Sequence, residues 1–157
     1  PNDRYVNDGA ICQAVAAGLA RINVKVNLTA ETKNTYFPKI LRRDTSFYLL
    51  GWTPSTADAH DALYNLMATP TDKGQGTFNL GSYSNPKLDE LTAKIQVETD
   101  ANKRNEMIRE AFKIHADDVG HIPLHQQALA WAYSKNVTLV QLPTNYMYFR
   151  WMTVKGK

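Results

Sequence analysis

The sequence predicts an α/β fold, a mixed sheet flanked by helices, and three observations carry that reading. Ser46 to Leu50 is a short, mostly apolar run with two aromatics, the pattern of a strand buried on both faces. Val24, Val26 and Leu28 alternate with Lys25 and Asn27, the period of a half-buried strand. Apolar residues at helical spacing flank these stretches, first Ile11, Val15, Leu19 and Ile22 and later Met107, Ile108, Ala111 and Phe112. The composition agrees: 157 residues, 43% hydrophobic and 21% charged, suit one folded domain with a sizeable core.

In chain order, a helix of about four turns is expected from Asp8, with alanines between its apolar positions that permit close packing on a sheet. The strand Val24 to Leu28 follows. Thr29 and Thr32 are N-cap candidates for a helix through Phe37, Ile40 and Leu41 that ends near Arg43 and Asp44. Pro38 falls inside it, so the helix either starts late or is kinked there. Ser46 to Leu50 is then a central strand, joined to the first by a right-handed crossover. The polar loop Thr53 to Ala57 leads into a helical pattern from Asp58, with Ala62, Leu63, Leu66 and Met67 on its inner face. Thr69 to Ser84 is rich in Gly, Thr and Ser and reads as a surface loop. Asn85 caps a helix with Pro86 at its first position, and Asp100 caps a longer one ending between Asp118 and Gly120. Ile122 to Gln126, Ala128 to Ser134 and the aromatic tail Tyr146 to Val154 read as further strands, the last packed on the core.

Several function classes are disfavoured by the same residues. The net charge is +3, but Arg42-Arg43, Lys103-Arg104 and the terminal lysines are short groups separated by acids, so no nucleic-acid surface is expected. No apolar run approaches the eighteen or so residues of a membrane helix. Cys12, the single cysteine, sits among apolar neighbours as a small buried thiol. His121 and His125 are four apart, but Pro123 lies between them and no third ligand is evident, so no metal is expected. There is no G-x-S-x-G elbow, P-loop or Rossmann glycine fingerprint, and neither catalytic residues nor a cofactor is assigned. The chain starts at Pro1, with no initiator Met and no strand before the first helix to complete a βαβ unit, which raises the expectation of an excised piece.

The stretch Thr45 to Asp61, TSFYLLGWTPSTADAHD, is where a site is expected, because ligands of open α/β sheets sit outside the carboxyl ends of strands. Trp52 beside a loop of small polar side chains suits a pocket with an apolar wall and a few orienting hydrogen bonds. His60 and Asp61 lie near the same corner. On the residues alone, Trp52 is equally a core tryptophan and Asp58 a helix cap.

Gly51, Trp52 and Asp58 resemble the Gly-Trp-x-x-Asp-x-x-Asp-Pro segment of the extracytoplasmic dipeptide- and oligopeptide-binding proteins that serve ABC importers; Ser55 and Ala59 depart from it. The segment Ser84 to Leu91 is similar to the family's helix start, Thr99 to Ala111 to the helix that follows, and Val119 to Gln126 to the strand that runs toward the hinge. The resemblance covers nearly the whole chain. It implies a single periplasmic-binding-protein-like (type II) lobe over residues 1–157, the C-terminal part of a two-lobed solute-binding protein. It further implies a periplasmic location, a peptide or other small solute as ligand, and as partners an ABC permease and the N-terminal lobe of the same chain. In that scheme Trp52 is an apolar wall, Ser55 a hydrogen-bond partner and Asp58 the nearest carboxylate, while Arg4 lies near the place where several members hold an Arg for the ligand carboxylate. For Arg4 the plainer reading is a surface residue paired with Asp3. An Asp at the place of Ser55 pairs with the peptide amine in the family's peptide binders; a hydroxyl offers no charge there, which opens the alternative of a non-peptide solute. Two other classes remain as alternatives: a hydrolase built on the Ser55, His60 and Asp58 region, and an interaction module.

Overall fold

The computed structural model describes residues Pro1 to Gly156. Helix α1 spans Asp8–Ala20 and α2 spans Lys33–Leu41. A single turn, α3 (Ala59–Ala62), runs directly into a π-helical turn, Leu63–Met67. Helices α4 (Pro86–Val97) and α5 (Ala101–Asp117) follow in tandem. None of these helices is long and apolar enough to cross a membrane.

The helix starts follow the expected capping chemistry. Asn85 accepts from the amides of Lys87 and Leu88, Asp100 from that of Lys103, and Asp58 from that of His60. Pro86 stands at the first position of α4, where its missing N–H is no loss. Pro38 lies in the interior of α2 rather than in its first turn, and the helix ends at Leu41, within a turn of it.

Two clusters form the core. Tyr36, Ile40 and Leu80 are packed with Phe37, Tyr48 and Leu50, while Leu63, Ile95 and Ala111 are packed with Met67, Leu91, Met107, Ile108 and Phe112. The second cluster is the seam where the π-helical turn meets α4 and α5, so the apolar stripe read on the tandem helices is buried as expected.

The sheet departs from the sequence expectation. Among the described residues it consists of β1 (Val137–Thr138) and β2 (Thr153–Val154), antiparallel, with Val137 opposite Val154 and Thr138 opposite Thr153. The stretches 24–28, 46–50 and 122–134 run without helix or ladder. A strand exists only with a neighbour to take its N–H and C=O groups, and an alternating pattern specifies a face without supplying that neighbour. Tyr48 and Leu50 still pack into the first cluster, and the Tyr36 hydroxyl donates to the Leu49 carbonyl at 2.8 Å. The aromatic tail is corrected more sharply: Phe149 to Trp151 form a 3₁₀ turn, and Phe149 is 76% exposed instead of packed on the core.

Thr69 to Ser84 is also more than a surface loop. Asn79 and Leu80 are buried, and Gly76 sits with φ +64° where an added Cβ would lie 2.5 Å from the Ala68 carbonyl oxygen. The Gly76 and Phe78 amides donate to the carbonyls of Tyr64 and Asn65, which ties this loop to the π-helical turn. Gly76→Ala is therefore expected to destabilise by about 2 kcal/mol or more, from the left-handed backbone and a clash with main chain that cannot rotate away. A urea midpoint equal to that of the parent protein would refute this.

Candidate functional site

The corner expected after the run 46–50 is assembled around Asp61. Its carboxylate is buried, with Oδ1 accepting the indole N–H of Trp52 at 2.7 Å and Oδ2 the Ser55 hydroxyl at 3.1 Å. Asn65 donates its amide to the Asp61 carbonyl at 2.9 Å and lies 3.5 Å from Oδ1. All three are neutral donors. The ion pairs among the described residues include none to Asp61, so its carboxylate is met by neutral donors alone.

Asp58 has a different position. Arg104 of α5 bonds both of its oxygens, at 3.1 and 3.0 Å, while the Arg104 Nε–H donates to the Ile95 carbonyl at 3.1 Å. The guanidinium first, and then the bond from the His60 amide, hold the Asp58 carboxyl below its usual range. Asp58 thus closes α3 and anchors the polar loop to the tandem helices. His60 Nε2 lies 3.1 Å from the Thr92 carbonyl, an acceptor only, so that nitrogen carries the proton.

A cavity of about 280 Å³ opens here, lined by Thr56, Asp58, His60, Asp61, Tyr64, Asn65, Gln96 and Arg104. Beside it the chain turns from α3 straight into a π-helical turn, an irregularity frequent at functional sites, and Tyr64 and Asn65 of that turn line the opening. Trp52 is half-buried beside it, its ring 5.0 Å from that of Phe78.

Of the residues read from the sequence, Trp52, Ser55 and Asp58 thus share one corner. Arg4 stands apart: its amide donates to Asp8 at 3.0 Å, and its guanidinium lies 5.0 Å from the centre of the Tyr5 ring. Tyr5 does reach the corner, donating its hydroxyl to the Gly51 carbonyl at 3.3 Å. Tyr5, Phe78 and Arg104 were not singled out by sequence reasoning. Tyr5 and Arg104 each meet their partner 46 residues away, and no local pattern marks such a pair. Asp61 left a weak signal, its place in the first turn after the loop.

No family model matches the chain. Among curated proteins it is similar to the oligopeptide-binding protein OppA of Bacillus subtilis, 29% identical over 130 residues, which is 82% of this chain and 23% of OppA. It is likewise similar to the glutathione-binding protein GsiB of Salmonella typhimurium, 28% identical over 137 residues, 82% of this chain and 26% of GsiB. The chain thus spans about a quarter of the length of these relatives. Among solved structures it is similar to HbpA2 from Haemophilus parasuis, with a TM-score of 0.66 and 22% identity over 93% of this chain and 28% of that one. The likeness establishes the fold class expected from the sequence, that of a type II periplasmic-binding-protein lobe, here rich in helix with a small sheet. The family resemblance read from the motifs also stands, since its relatives are the dipeptide- and oligopeptide-binding class of solute-binding proteins.

Proposed function

We propose that this relative of the dipeptide- and oligopeptide-binding proteins is the C-terminal lobe, residues 1–157, of a periplasmic solute receptor serving an ABC importer. It contributes one half of the ligand cleft; the N-terminal lobe of the same chain supplies the other, and the membrane permease recognises the closed form. It acts as a receptor and not as a catalyst.

The observation that carries this reading is the Asp61 corner. A cavity of this volume, lined by Tyr64 and by an Asp61 carboxylate that stands outside the Asp58–Arg104 ion pair, suits the amine end of a peptide or peptide-like solute. In that arrangement Trp52 is the apolar wall, Ser55 the hydrogen-bond partner that aims Asp61, and Asp58 the anchor of the loop. Arg4, over Tyr5, is the candidate for a carboxylate at the far end of the solute. The relatives support the class: OppA is by its name an oligopeptide-binding protein and GsiB a glutathione-binding protein.

The hydrolase alternative draws no support from the bonding. The Ser55 hydroxyl donates to Asp61 and His60 Nε2 donates to Thr92, so neither side chain engages the other as nucleophile and base.

Calorimetric titration of the longer protein containing this chain, with short peptides and their N-acetylated counterparts, tests the proposal. A loss of about tenfold or more on acetylation is expected, since about 1.4 kcal/mol is tenfold in affinity and a charge-assisted bond exceeds that. Residues 1–157 alone should bind far more weakly, because half a cleft leaves the solute in water. Absence of binding to any peptide removes the peptide assignment in favour of another solute. Ester or peptide turnover that disappears in Ser55→Ala would overturn the receptor reading.

A further inference from the structure

Away from this corner, the C-terminal end of α5 holds a second polar arrangement that solute binding does not use. His115 is buried on the inner face of α5, and its Nε2 lies 2.8 Å from Nδ1 of His121, with the two rings tilted by 32°. The Tyr83 ring meets His115 edge-on at 4.7 Å. Gly120 closes the remaining side: a Cβ there would lie 2.8 Å from His115 Nδ1. That Nδ1 is buried and has no hydrogen-bond partner.

The proton count of this pair is constrained. A single N–H···N bond joins the rings, so in the neutral state one donates and the other accepts. With His115 donating from Nε2, its Nδ1 is a bare lone pair, which needs no partner as urgently as an N–H would. A proton added to His121 goes to Nδ1 and meets the Nε2–H of His115 head to head. The only escape moves the His115 proton to its own Nδ1, where it is buried facing no acceptor. A proton added to His115 goes to that same Nδ1. Each charged state therefore either breaks the bond between the rings or strands a donor in the interior, at a cost that buried unpaired groups do not recover.

We propose that the His115–His121 pair is a proton-operated latch that fastens the start of the C-terminal stretch to the end of α5 at neutral pH and releases it in acid. Burial supports this by pushing His115 down to about 4 and His121 below its usual value, and the charge of His121 further opposes that of His115. The titratable groups around it do not rescue the charged form. Asp118 favours it, but that carboxylate already accepts from the Tyr83 hydroxyl and the Asn85 amide, at 2.6 and 2.7 Å. Tyr83, pushed up to about 12, stays neutral throughout, with Asp89 acting on Tyr83 rather than on the rings. Lys113 and Asp117 on α5 pair with each other. Beyond the latch the next side-chain tie is the Val6 amide on Gln127, at 3.1 Å, so release at His121 frees the segment between the two.

The sign follows from linkage. A histidine whose pKa is lowered by folding binds its proton more readily when unfolded, so stability is full above about 6.5 and falls as pH drops toward about 4. The chain is expected to lose roughly 4–8 °C in Tm between pH 7 and pH 5, with loss of amide protection at Gly120 over the same interval. The double variant His115→Gln/His121→Asn, which replaces the titrating bond with an amide pair, should remove most of that loss. An acid loss of the same size in the double variant overturns the latch. Ring NMR of the unmodified protein decides independently of whether the variant folds: His115 titrating below pH 5 is expected, and titration near pH 6.5 overturns the proposal.

Discussion

Asp61→Ala is expected to lower stability by about 2–4 kcal/mol and, in the proposed receptor, to abolish recognition of the solute amine. The substitution takes the acceptor from the Trp52 indole N–H and from the Ser55 hydroxyl, both charge-assisted bonds worth about 1.5–3 kcal/mol each. Ser55 is exposed and turns to water, so most of the loss falls on Trp52, whose N–H is left half-buried beside Phe78. Asp61→Asn separates the two roles. It keeps the volume and one carbonyl acceptor for the indole, and so should cost about 1 kcal/mol in folding, but it removes the charge. Urea denaturation followed by tryptophan fluorescence reads the first effect, and titration with free and acetylated peptides reads the second. An Asp61→Asn protein that still prefers the free amine would show that the charge is read elsewhere, and an unchanged urea midpoint for Asp61→Ala would show that the carboxylate supports nothing.

The second large effect is placed at Asn79, outside the cavity. Its side chain is fully buried and satisfies three main-chain groups: the Ala68 and Tyr83 carbonyls accept from Nδ2 at 2.9 and 2.8 Å, and the Tyr83 amide donates to Oδ1 at 3.1 Å. Asn79→Ala leaves all three without their side-chain partner at a fully buried position. At about 1–3 kcal/mol for each orphaned group, partly relieved by relaxation, the expected loss is about 3–5 kcal/mol. That is a large share of the roughly 5–15 kcal/mol a domain possesses. The damage should spread to the site, because the loop that Asn79 holds also carries Phe78 against Trp52 and bonds the π-helical turn at Tyr64 and Asn65. Asn79→Asp is no remedy: it keeps the acceptor for Tyr83 but aims an oxygen at two carbonyls. Denaturation midpoints within 1 kcal/mol of the parent for both variants would refute this account.

Both predictions rest on contacts of different legibility. The helix starts were readable because capping is local: Asn85 with Pro86, Asp100 and Asp58 each meet their amide partners within three residues. The buried stripe of α4 and α5 was readable because helical spacing fixes which side chains share a face. The corner at Trp52 and Ser55 was readable as a place, since a buried run followed by an aromatic and a polar loop marks where a chain leaves the core.

Strands were not decided in that way. The alternation of Val24, Val26 and Leu28 and the apolar run at Ser46 to Leu50 describe faces, and pairing requires a neighbour that a pattern cannot name. The residues therefore settled by themselves the capped helices and their inward faces, and they carried the resemblance to the peptide-binding class. The tertiary structure alone decided that Arg104 takes Asp58, that Asp61 instead receives Trp52 and Ser55, and that His115 meets His121 in the interior. The physical reason is range: a cap or a stripe is written within one or two turns of chain, while a buried charge finds its partners wherever packing brings donors close enough to replace water.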